Sequence, residues 1–68
     1  MEVGKYDVFI VMRGGQYVAG YWPGLGKVRM TDSPWDAWAE KNRAKAQLVA
    51  NRVGGKIRKW NPVTGTVG

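Results

Sequence analysis

The alternation of apolar and polar positions changes rhythm once along the chain. From Lys5 to Arg13 (KYDVFIVMR), five consecutive apolar residues, Val8 to Met12, stand between charged ends. An unbroken apolar run of strand length predicts a central strand covered on both faces. Gly14-Gly15 signals a hairpin. Gln16 to Trp22 (QYVAGYW) reads as the second strand, with Tyr17, Ala19 and Tyr21 on one face and Val18, Gly20 and Trp22 on the other. Gly20 leaves room for a bulge or a close backbone approach. Pro23-Gly24 marks a turn. Lys27 to Thr31 alternates again and predicts a short third strand, Val28 and Met30 facing inward, Lys27 and Arg29 facing solvent.

From Thr31 the rhythm is helical. Thr31, Asp32 and Ser33 are candidate N-caps, Pro34 suits a first helical position, and Asp36 complements the positive end of a helix dipole. Ala46, Val49, Ala50 and Val53 follow the i, i+3, i+4, i+7 spacing of one buried face. Traced backward, the stripe takes in Trp35, Trp38, Ala39 and Asn42. A polar Asn42 on that stripe predicts a break near 40–42, with a short turn at 34–39 and a main helix at 42–53 capped by Asn42. Gly54-Gly55 stops the helix. Lys56 to Trp60 is a fourth strand, ended by Asn61-Pro62. The expected fold is therefore a small α+β domain of β-β-β-α-β order spanning 1–60. An antiparallel meander is covered by one helix, and the last strand lies beside the first in a mixed or antiparallel sheet. Residues 61–68 form a loose tail.

Sixty-eight residues are one small, marginal domain. The chain has no cysteine and no histidine, so neither a disulfide nor a zinc staple of the usual ligands is available. Four Trp, three Tyr and one Phe are the obvious source of core area. No stretch has the length of a membrane span and no signal peptide is expected, which together predict a cytoplasmic protein.

A hairpin whose second strand holds Gln16-Tyr17-Val18, a short strand ending in Met30-Thr31-Asp32, then Ala37, and a helix closing in Val53-Gly54-Gly55 before a final strand resemble small bacteriophage and prophage-encoded proteins of unknown function. The resemblance implies a single-domain, cytoplasmic, non-enzymatic protein and assigns no residue a role. This chain departs from many of them in being basic and rich in tryptophan.

No catalytic constellation is visible. Asp32, Asp36 and Glu40 share a spacing of four, but they stand where a helix begins and read as capping and dipole groups. Ser33 has no histidine to activate it. Gly24-Leu25-Gly26-Lys27 lacks the spacing of a phosphate loop and precedes a strand. No enzyme activity, metal or cofactor is expected. The formal charge of +6 points instead to an anionic partner. Between 41 and 59 the chain carries only basic charges, and Lys41, Lys45, Arg52, Lys56, Arg58 and Lys59 form a candidate nucleic-acid surface. Tyr21, Trp22 and Trp60 are candidates to stack on single-stranded bases. Two other readings remain open. The basic stripe is a solvated helix face over core aromatics, or the tryptophans, Trp35 and Trp38 among them, anchor an acidic host protein or a second copy of the chain.

Overall fold

A computed structural model describes residues 7–22 and 24–68. The elements are β1 (Val8–Arg13), β2 (Gln16–Trp22), β3 (Lys27–Thr31), a 3₁₀ turn (Pro34–Asp36), β4 (Ala39–Glu40), α1 (Arg43–Val53), β5 (Lys56–Asn61) and β6 (Thr66–Val67). The expected start of the first strand at Lys5 and Tyr6, the N-terminal residues and Pro23 lie outside the described residues.

The strands form one curled antiparallel sheet in the order β3-β2-β1-β5-β6, with β4 added beside β1. The apolar run Val8 to Met12 makes β1 central, as its pattern implies. β5 pairs along it from Val8↔Trp60 to Met12↔Lys56. On the other edge β2 pairs only at Met12↔Tyr17 and Arg13↔Gln16. There β2 peels away, and β4 takes the vacated edge at Phe9↔Glu40 and Ile10↔Ala39. The Trp38 N–H donates to the Val18 carbonyl at 2.8 Å, tying the approach to β4 onto β2.

The peeling coincides with a register shift between Val18 and Gly20, where β2 carries one more residue than β3. Such a bulge bends its strand and raises the local twist. It also corrects the expected faces of β2. Strict alternation would put Tyr21 opposite Val18; the extra residue brings both inward, with Val28 and Met30, against α1. Gly20 and Trp22 are left on the outside.

The helix follows its local signals closely. Asn42 Oδ1 accepts from the Ala44 N–H at 2.9 Å and the Lys45 N–H at 3.3 Å, which makes the misfit on the stripe an N-cap. Ser33 Oγ accepts from the Trp35 N–H at 3.3 Å and caps the 3₁₀ turn that Pro34 opens. At the far end Gly54 is left-handed (φ 74°), and the Gly55 N–H returns to the Ala50 carbonyl at 2.8 Å. Ala46 and Ala50 are fully buried, so small side chains let α1 sit close to the sheet. Val11, Val18 and Ala50 form the centre of the core, ringed by Trp38, Val49, Val53 and Ile57.

The sheet has two strands more than expected. β4 is too short to show periodicity. β6 corrects the loose tail: Asn61 Oδ1 accepts from the Val63 and Thr64 N–H groups, and the chain turns back to pair Trp60↔Val67 and Asn61↔Thr66. Pro62 ends β5 as expected, and it opens a tight turn that returns the chain to the sheet. Among the described residues no helix is long and apolar enough to cross a membrane.

Candidate nucleic-acid interface

Ten basic side chains, Arg13, Lys27, Arg29, Lys41, Arg43, Lys45, Arg52, Lys56, Arg58 and Lys59, lie among the described residues, and every one is exposed. Strand register and helix geometry sort eight of them into three groups; of the other two, Arg13 donates to the Val53 carbonyl at 3.4 Å and Lys41 lies in a bend.

Lys45 and Arg52 stand two turns apart on one side of α1, away from buried Ala46 and Ala50. Lys41, expected on the same stripe, precedes the Asn42 cap. It belongs to the bend after β4 and takes no position on the helix. The helix face thus holds two of the three expected cations.

β5 divides its own basic residues. Ile57 pairs with Val11 and packs in the core, so the alternate residue Lys59, opposite Phe9, shares the helix side of the sheet. There Lys59 and Arg43 line a shallow hollow of about 400 Å³ with Phe9, Ile57, Gly68 and, from its rim, Arg58. Lys56 and Arg58, opposite Met12 and Ile10, project from the other face. The single helix-strand surface of six cations is therefore split by the pleat of β5.

That other face, the outer face, carries the third group. One row runs across it as Thr31, Tyr17, Met12 and Lys56, successive register partners on β3, β2, β1 and β5. Toward the turn between β2 and β3 follow Gly20↔Arg29 and Trp22↔Lys27. Lys27, Arg29, Lys56 and Arg58 thus face one way. Lys27 and Arg29 are the solvent-facing residues that the alternation predicts for β3 and Arg43 lies in the acid-free run, but the sequence pattern singles out none of the three as a contact. The signal for the first two was present in the alternation Lys27-Val28-Arg29-Met30. Their relation to Trp22 depends on the bulge, which fixes the register.

The aromatic candidates separate just as clearly. Trp22 is 48% exposed on the outer face. Tyr21 is half-buried against the core. Trp60, expected as a stacking surface, is buried at 4% exposure. Trp35 covers it edge-on, with ring centroids 4.9 Å apart and planes at 88°. Trp60 therefore has no face free for a base. Trp38 packs into the core, while Trp35 remains 64% exposed.

Two of the acids are engaged, Asp32 across to the start of β2 and Glu40 within its own loop. Asp32 Oδ1 accepts from Gln16 Nε2 at 2.9 Å, and Glu40 Oε1 accepts from the Asn42 N–H at 3.1 Å. Among the described residues no three acidic side chains gather as they would to hold a metal ion. Comparison with protein-family models, curated proteins and solved structures returned no match to this chain.

Proposed function

We propose that this is a small non-enzymatic binding protein, of the kind encoded by phages and prophages, that takes single-stranded nucleic acid on the outer face of its sheet. The observation that carries the reading is the disposition of charge: every described Lys and Arg is exposed, and four of them share one sheet face with an exposed tryptophan. Cations displayed in this way gain affinity for phosphates by releasing counterions. The outward side of α1 offers Lys45 and Arg52 with Leu48 but no aromatic ring, which favours the sheet over the helix.

Salt dependence tests this directly. Affinity for a single-stranded oligonucleotide should fall steeply with salt, at about 0.7 in log–log slope per phosphate contact. Replacing Lys56 and Arg58 together with Gln should lower the slope by about 1.4, while Lys45→Gln with Arg52→Gln leaves it nearly unchanged. Loss of slope only in the helix pair would move the interface to α1. Absence of salt-dependent binding by the unmodified protein would overturn the reading. A protein interface anchored by Trp22 and Trp35, both exposed, would then be the better account.

A further inference from the structure

We infer that Trp22, lying over Gly20 and flanked by Lys27 and Arg29, is a base-stacking subsite for single-stranded nucleic acid. The inference rests on the function proposed above and names the position where a base would sit.

The geometry begins with the bulge. It leaves Gly20 and Trp22 as successive outward residues of β2, so the indole can fold back along its own strand. It does so: a Cβ on Gly20 would stand 2.7 Å from Trp22 Cη2, 3.0 Å from Cζ3 and 3.4 Å from Cζ2. The ring therefore occupies space that only a residue without a side chain leaves open. Resting on backbone, the ring is restrained, yet 48% of Trp22 remains exposed. An apolar core needs neither feature.

The charges complete the site. Lys27 is the register partner of Trp22, and Arg29 that of Gly20. Paired residues on one face hold their Cβ atoms about 5 Å apart. An aromatic face bordered by two cations matches a nucleotide, whose base stacks while its phosphates meet ammonium and guanidinium groups. The same two cations on an edge strand also discourage pairing with other chains. That role alone would not require the ring over Gly20.

The test uses the full chain and two oligomers of about a dozen units, followed by fluorescence anisotropy. One is oligothymidylate; the other is an abasic phosphodiester of equal length. Trp22→Ala should weaken oligothymidylate binding roughly tenfold to a hundredfold and leave abasic binding unchanged. Trp22→Phe, which keeps a ring, should recover most of the loss. Lys27→Gln with Arg29→Gln should weaken both oligomers and lower the salt slope by about 1.4. Circular dichroism and thermal melting establish that each variant is folded, and Trp22→Leu, which fills the space without an aromatic ring and should lose oligothymidylate affinity as Trp22→Ala does, carries the test should Trp22→Ala not fold. If the unmodified protein binds oligothymidylate with steep salt dependence but Trp22→Ala is within twofold of it, the subsite is wrong while the basic interface stands. Equal losses on the two oligomers would also sink the subsite, because no base would then be contacting the ring. If the unmodified protein binds neither oligomer, both proposals fall.

Discussion

The two faces of the sheet handle burial by different means. Toward α1, closure comes from aliphatic and small residues: Val11 and Val18 under Ala50, with Val28, Met30 and Ile57 around them. On the outer face the same central strands carry Ile10 opposite Arg58, Val8 opposite Trp60 and Met12 opposite Lys56. Burial there is local, provided by Trp60 beneath Trp35, and the remaining surface is basic. The comparison shows where the tryptophans went. A small domain without disulfides was expected to consume its large rings in the core. Of the four tryptophans Trp60 is buried and Trp38 half-buried, while Trp22 and Trp35 are left exposed on the surface.

The largest effect should come from the one ring that does close the outer face. Trp60→Ala is expected to cost about 3–5 kcal/mol. The total stability of a chain this size is roughly 3–10 kcal/mol. Urea denaturation should therefore find a large share of the stability gone, with a midpoint far below that of the unmodified protein. Trp35→Ala removes an exposed ring and its edge-on contact, a loss of about 1 kcal/mol. Equal losses for the two would mean that the outer face is a second core rather than a lidded patch.

Next comes the seam on the helix side. A Cβ on Gly55 would meet the Met12 carbonyl oxygen at 2.5 Å and Val11 Cγ1 at 3.0 Å. Neither can retreat, since Met12 is held in the β1–β5 ladder and Val11 is buried. Gly55→Ala should destabilise by about 1–3 kcal/mol or more. The readout is a lower urea midpoint with an unchanged m-value. A midpoint matching that of the unmodified protein would show that the turn between α1 and β5 does not approach β1 as closely as the geometry has it.

How much of this was legible in the sequence follows from how local each signal is. Asn42, Ser33-Pro34 and Gly54-Gly55 each act on backbone groups within a few residues, and the helix boundaries emerged nearly as expected. The central place of β1 was readable from Val8 to Met12, because burial on two faces requires apolar residues at every position. The exchange of β2 for β4 along β1 was not readable. It depends on a register between strands, and β4 has two residues. For the candidate site the charges were visible, but their grouping was not. Lys56 and Arg58 part from Lys59 through strand pleating, a period-two effect that can be read once β5 is accepted as a strand. Joining Lys27 and Arg29 to Trp22 requires the bulge. The burial of Trp60 was not readable, because its cover, Trp35, stands twenty-five residues earlier on a different element.

The smallest expected change in stability sharpens the contrast between the faces most, because it uses the same substitution as the seam. At Gly20, as at Gly55, a new Cβ would stand closer than van der Waals contact allows, 2.7 Å from its nearest atom. At Gly55 that atom is a backbone oxygen; at Gly20 it is the outer rim of an exposed indole, which can swing into solvent. Gly20→Ala should therefore change stability by no more than about 0.5 kcal/mol. It should also release Trp22, moving tryptophan emission to the red and raising acrylamide quenching. Both optical changes should vanish when Gly20→Ala is made together with Trp22→Phe. The freed ring would lose its restraint, so affinity for oligothymidylate should fall, though by less than in Trp22→Ala. Destabilisation as large as that of Gly55→Ala would place rigid structure, not a movable ring, over Gly20, and the two faces would then differ less in their construction than the geometry indicates.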